Sequence, residues 1–223
     1  MSGPVSPALS WSGGKDSALA LQALRDEHAV EPHALITTVT SSYDRISMHG
    51  VRRSLLEHQA DALGLPLVEV IIPPGCTNTV YEQRWMDAFV SESLEGVEEV
   101  AFGDLFLEDV RRYREVLLAR EGKCGLFPLW GRDTTRLAHD FVTAGFRAVL
   151  VCVDPKQLDG SFAGREYDER LLAELPTDVD PCGERGEFHT FVYAGPGFSE
   201  PIACRVGDVV ERDGFVFCDL EVN

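Results

Sequence analysis

Lysine is nearly absent from this chain: Lys15, Lys123 and Lys156 are the only three in 223 residues. Arginine brings the basic total to 20 against 37 acidic residues, a net charge of −17. So acidic a chain repels phosphate backbones, which argues against a nucleic-acid partner. The acidity serves solubility first, and it also suits a cationic substrate or a basic protein. No stretch approaches the roughly 18 consecutive apolar residues of a membrane-spanning helix, so no membrane association is expected. The opening "MSGPVSPALSW" lacks the basic and apolar regions of a secretory signal. Cys76, Cys124, Cys152, Cys182, Cys204 and Cys218 form no C-x-x-C pair and no metal-type spacing with histidine. Reduced thiols in a cytoplasmic protein are the expectation. No internal repeat or low-complexity linker is visible.

What is present alternates. "ALSW" (8–11), "HALITTVT" (33–40), "LPLVEVIIP" (65–73), "VEEVAFGD" (97–104), "GLFPLW" (125–130) and "RAVLVCVD" (147–154) read as short buried strands. Between them, 17–28, 51–64, 80–96, 107–122 and 133–145 carry apolar residues at helical spacing, with Asp133 or Thr134 as an N-cap for the last. Strands alternating with helices of this length predict an α/β fold, a doubly wound parallel sheet of five to six strands. After about residue 155 the rhythm breaks. "GEFHTFVYAG" (186–195) reads as a strand and 201–222 as a β-hairpin turning at Asp213-Gly214. The reading is therefore a main unit over 1–154 and a smaller, closely packed substrate-binding module over 155–223.

"SGGKDS" (12–17) falls just after the first strand, where parallel α/β sheets bind ligands. Glycines there let backbone N–H groups turn toward a phosphate, and the following helix offers unpaired N–H groups and the positive end of its dipole. Lys15 adds a charge, Ser12 and Ser17 add hydroxyls, and Asp16 is the candidate Mg²⁺ ligand or a brace for the loop. The spacing is not that of a Walker A loop, since the lysine directly follows the glycine pair.

This loop resembles the pyrophosphate loop of the N-type ATP pyrophosphatases, which break ATP between its α- and β-phosphates. The resemblance implies a Rossmann-like fold and assigns the pyrophosphate portion of ATP to Ser12, Gly13, Gly14, Lys15, Asp16 and Ser17. Further on, "DPCGERGEFHTFV" (180–192) resembles the C-terminal signature of the diphthine–ammonia ligase family. "YDRISMHG" (43–50), "QADALGLPLV" (59–68), "FGDLFLEDVRRYRE" (102–115) and "PLWGRDT" (128–134) match it in the same order. Arg185 and His189 stand where the archaeal and eukaryotic members resemble "GEGGEFET". With "DRISMHGVR" in the segment after the second strand, these departures resemble a bacterial branch. Bacteria do not make diphthamide, and a role in cobalamin salvage is suggested for that branch.

The implied activity is an ATP-dependent, AMP-forming amide ligase acting on ammonia and a carboxylate, with ATP and Mg²⁺ as cofactors. A carboxylate is a poor acyl donor until adenylation supplies AMP as a leaving group, and such an enzyme chiefly positions its reactants and neutralises charge. Lys15, Asp16, Asp104, Glu184 and Glu187 are the candidate catalytic residues. Glu187 is expected to share one strand face with His189 and Phe191 and to bind or deprotonate the amine, assisted by Glu184. Asp104 holds Mg²⁺ or orients substrate, or else caps the next helix. Tyr43, His49, Gly103, Arg132 and His189 are the candidate substrate contacts. Loop packing competes at Tyr43 and His49, and ion pairing competes at Arg132. Two other readings stand: the same ATP chemistry on a corrinoid or another small carboxylate or amide, and a non-catalytic ATP- or AMP-binding regulatory module. A thiolase is disfavoured because Cys182 has no second cysteine at a recognisable spacing. The assembly state, a homodimer included, is left open.

Overall fold

The structure, a computed structural model, describes residues 6–41, 45–46 and 50–222. Five parallel strands form the first sheet: β1 (Ala8–Ser10), β2 (Leu35–Thr40), β4 (Leu67–Ile72), β5 (Glu99–Ala101) and β6 (Cys124–Leu126). Their spatial order is β4-β2-β1-β5-β6, and the two-residue β3 (Arg45–Ile46) pairs antiparallel with the end of β2. The order reverses between β1 and β5, so a crevice opens beyond their carboxyl ends.

Helices cover both faces, as parallel strands require. α1 (Lys15–His28) and α2 (Arg53–Leu63) pack on one face, against Leu9, Leu35 and Val39. α3 (Asn78–Phe89) and α4 (Glu108–Ala119) pack on the other, against Ile36, Val70 and Val100. Leu35 and Ile36 point to opposite cores because successive strand side chains alternate. α5 (Thr134–Thr143) begins at Asp133, whose carboxylate accepts the Arg136 N–H at 2.8 Å, the cap expected from sequence.

The strand at 147–154 departs from expectation. β7 (Arg147–Val153) does not join the parallel sheet; it pairs antiparallel with β8 (Phe188–Ala194) and β10 (Phe215–Val222). β9 (Cys204–Arg212) completes a second sheet of order β8-β7-β10-β9. The physical reason is that β7 is buried along nearly its whole length. A continuous apolar run marks a strand covered on both faces, whichever way its neighbours run. Residues 147–153 thus stand with the tail that was expected to begin at 155. The β9–β10 hairpin does turn at Asp213-Gly214, with φ of 54° and 82°, and two positive values in a two-residue loop favour such a pair. Two expected elements are shorter than read: β6 stops before Pro128, and α3 ends at Phe89, ahead of a separate 3-10 turn at Glu92–Leu94.

The two sheets are stitched together at the loop after β1. Val192 of β8 donates its N–H to the Gly13 carbonyl at 2.8 Å. Gln59 of α2, wholly buried, donates to the same carbonyl at 3.0 Å and to the Val192 carbonyl at 2.5 Å. Its own oxygen accepts the Trp11 indole N–H at 2.8 Å. Gly13 has φ of +77°, and a Cβ there would lie 2.5 Å from Leu56 Cδ2, so only glycine fits the turn.

Replacing Gln59 with leucine keeps most of its volume but strands the indole N–H and a carbonyl in the interior. Gln59→Leu is expected to cost about 3 kcal/mol, read as a lowered urea midpoint. A change under about 0.5 kcal/mol would remove Gln59 from the role of clamp.

Candidate active site

The crevice between β1 and β5 is lined by Ser10, Ser12, Gly14, Lys15, Asp16 and Ser17 from the first loop and by Phe102, Gly103 and Asp104 from the end of β5. Arg114 of α4 also reaches it, and it is closed by Gly183, Glu184 and Gly186 of the turn before β8 and by Phe188, His189 and Thr190 of β8. A Cβ on Gly103 would sit 2.8 Å from the Asp16 carbonyl, so glycine lets the β5 end approach the first turn of α1. Sequence reasoning singled out Ser12, Gly14, Lys15, Asp16, Ser17, Gly103, Asp104, Glu184 and His189, and the fold brings them to one cleft. Gly13 forms the turn behind it.

Lys15 is 2% exposed. Its ammonium donates to both oxygens of Asp16, at 2.8 and 2.9 Å, and to the carbonyl of Cys182. Burial acts to lower the Lys15 pKa, but Asp16, Cys182 and Glu184 outweigh it and hold the group above the ordinary lysine value. Burial pushes the Asp16 carboxyl up, against the pull of Lys15 and with added repulsion from Asp180 and Asp104. Glu184 is pushed up to about 7, chiefly by burial, with Asp16 and Asp104 adding to the shift. Its Oε1 accepts the Leu105 N–H at 2.8 Å, which joins the second unit to the β5 loop. Burial also pushes the Cys182 thiol up to about 12, so it stays protonated at neutral pH and is no nucleophile.

Other candidates lie elsewhere or are engaged. Asp104 forms a two-pronged pair with Arg114, at 2.6 and 3.0 Å, and the cap position of α4 belongs to Leu107. Glu187 is 2% exposed and does not border the cleft. Its carboxylate accepts the N–H groups of Asp180 and Arg185, at 3.0 and 2.9 Å, and so clamps the 180–187 turn from within. Glu187 does not share a strand face with His189 and Phe191 because β8 begins only at Phe188, and Phe188, His189 and Thr190 all border the cleft. Arg132 pairs with Glu27, at 2.7 and 2.8 Å, and borders a different pocket beside the end of α1. Tyr43 and His49 lie outside the described residues. Asp219 of β10 pairs with Arg45 and Arg52.

Sequence reasoning missed Thr190, Gln59 and Arg114. Thr190 accepts the Lys15 N–H at 3.0 Å through its hydroxyl, across 175 residues of chain. Only its place in "EFHTFV" hinted at a role. Among the described residues no three His, Cys, Asp or Glu side chains gather as a metal site, and no helix is long and apolar enough to cross a membrane.

A glycine turn and helix amino terminus at the reversal point of a parallel sheet define an α/β phosphate-binding protein of the ATP pyrophosphatase type. Residues 6–122 match the diphthamide synthase N-terminal domain and residues 133–217 its C-terminal domain. The chain belongs to the diphthamide synthase family. It is 29% identical over 231 residues to a diphthine–ammonia ligase of Danio rerio, covering 94% of this chain and 90% of that one. It is 25% identical over 231 residues to the Homo sapiens enzyme of that name, covering 94% and 86%. Against the Schizosaccharomyces pombe protein it is 26% identical over 236 residues, or 95% of this chain but only 38% of the relative's length.

Because the folded value of Glu184, about 7, lies above its ordinary 4.5, the folded protein favours the protonated carboxyl. The stability this brings is complete below pH 4.5 and is lost as the pH rises to about 7. Glu184→Gln keeps the acceptor oxygen but cannot titrate. Urea midpoints taken from about pH 5 to about pH 8 are therefore expected to fall less in the variant than in the parent. Parallel declines would refute the shift.

Proposed function

We propose that this protein is an ATP-dependent, AMP-forming amide ligase that joins ammonia to a carboxylate. The observation that carries the reading is the placement of Glu184, with a pKa of about 7, across the cleft from the glycine turn and α1 amino terminus. A phosphate site and a proton acceptor thus face one another. In the first step a carboxylate oxygen of the substrate bonds to the α-phosphorus and pyrophosphate leaves. In the second, ammonia bonds to the acyl carbon, the bond to AMP breaks, and the nitrogen gives up a proton. Glu184 takes the proton that ammonium must lose before it can attack, a task suited to a carboxyl titrating near neutral pH. Glu187, enclosed in its turn, positions this loop.

Mg²⁺ serves phosphoryl chemistry by neutralising charge on phosphate oxygens. It is commonly held by one or two carboxylates, with phosphate and water completing the shell. Asp16, paired with Lys15 but about a third exposed in the cleft, fits that mode better than Asp104, which is less exposed and gripped by Arg114 through both oxygens. The relatives' name supplies ammonia as the amine; for the acceptor we propose only its class, a carboxylate. We place the protein in the cytoplasm, where ATP is supplied and free thiols such as its six cysteines persist.

AMP and pyrophosphate release from ATP is expected to require ammonia and a carboxylate together. Diphthine-bearing protein and corrinoid acids are the acceptors to offer. Asp16→Asn, which leaves an oxygen for Lys15, is expected to lower that release at least ~100-fold with an unchanged circular dichroism spectrum. ATP bound with no product from any acceptor would replace the ligase by a nucleotide sensor.

A further inference from the structure

Of the hydroxyls touching the first turn of α1, two are tied up within the loop itself. Ser17 donates its hydrogen to the Gly14 carbonyl at 2.8 Å. The Ser12 oxygen accepts the Gly14 N–H at 3.3 Å and lies 3.4 Å from the Ser17 oxygen, so with the Ser17 hydrogen already placed Ser12 is the donor of that pair. The ammonium of Lys15 is engaged by Asp16 and the Cys182 carbonyl. Thr190 differs from all three. It is 3% exposed yet borders the cleft, and its oxygen accepts the Lys15 N–H at 3.0 Å. A hydroxyl that accepts still has its own hydrogen to give. The backbone fixes its position, since a Cβ on Gly14 would lie 3.0 Å from the Thr190 carbonyl and Val192 is bonded to Gly13.

We propose that Thr190, contributed by the second sheet, is a phosphate-binding residue of the nucleotide site: its hydroxyl takes the first helical N–H of α1 and passes the donor function on to a phosphate oxygen. Accepting from a helix amino terminus polarises the O–H and strengthens it as a donor. Nucleotide binding thereby depends on the docking of β8 against the loop, and the tie between the two units lies within the phosphate site. This inference rests on the reading of the cleft as an ATP site.

Calorimetric titration of the full chain with MgATP tests it, using Thr190→Val and Thr190→Ser. The valine variant, which keeps the shape but loses the donor, is expected to bind about tenfold more weakly, and the serine variant within about twofold of the parent. Equal binding by parent and valine variant overturns the proposal, as does equal loss in both variants, which marks a packing role. Stronger binding by the valine variant also overturns it, because the hydroxyl then competes with phosphate for the Lys15 N–H. If the valine variant does not fold, Thr190→Cys, similar in shape and a much weaker donor, is read by the same criteria. A parent chain that binds no MgATP refutes the ATP site itself and this inference with it, an outcome distinct from a difference between variants.

Discussion

The ammonium of Lys15 sits where three segments meet: the glycine turn, the first turn of α1 and the 180–187 loop of the second unit. Taking a cation out of water costs several kcal/mol unless each N–H finds an acceptor. Here the neighbouring aspartate supplies two and the Cys182 carbonyl a third. Adjacent lysine and aspartate at the head of a helix would ordinarily face solvent. They are enclosed because the second sheet closes over them, with the rings of Tyr167 and Phe188 at 6.0 and 5.7 Å from the ammonium. The 180–187 loop is held from behind in turn, since Asp180 bonds the Cys182 N–H and the Thr134 hydroxyl while Glu187 bonds the Asp180 N–H. Glu184 reaches the β5 loop from this frame. The position of the group that titrates near pH 7 therefore follows from the burial of one cation.

That burial explains the electrostatics of a very acidic chain. Asp16, Asp104 and Glu184 line one cleft with Asp180 buried behind it, and Lys15 and Arg114 are cations among them. The arginine is fixed on Asp104 and stacked on Phe102 at 4.4 Å. In the proposed site the loop would meet phosphate mainly with neutral donors, backbone N–H groups and hydroxyls, whose orientation the glycine turn and the helix set in advance. Such donors act by preorganisation rather than by net charge.

The sequence revealed what local chemistry dictates. The βα alternation, the glycine turn after the first strand, the Asp133 cap and the Asp213-Gly214 turn all depend on residues close in the chain. What stayed hidden depends on distant partners. Nothing near Gln59 says that its amide will join Gly13 to Val192, 46 and 133 residues away. Nor does the apolar run of β7 tell which sheet it enters, because strands central to either sheet are covered on both faces. Glu187 and Glu184 look equivalent in "GERGE", yet one turns inward onto backbone N–H groups and the other faces the cleft. Arg132 sits beside a helix cap in a stretch shared with the family, but its partner Glu27 draws it to the far end of α1.

The difference between those two glutamates also bears on the chemistry. A buried carboxylate whose two oxygens each accept a backbone N–H, as those of Glu187 do, is geometrically closed to a substrate. Glu184 accepts through one oxygen, from Leu105 and at longer range from Phe106, which leaves its second oxygen free of those bonds. One oxygen anchored and one available is the arrangement a proton acceptor needs, since the anchor fixes the angle of approach and the other oxygen receives the proton. Burial raises its pKa, and Asp16 and Asp104 add to the shift by repulsion, which brings it to about 7. In the proposed reaction, burial beneath the second sheet, with repulsion from Asp16 and Asp104 added, is the means by which an ordinary glutamate becomes a base of useful strength.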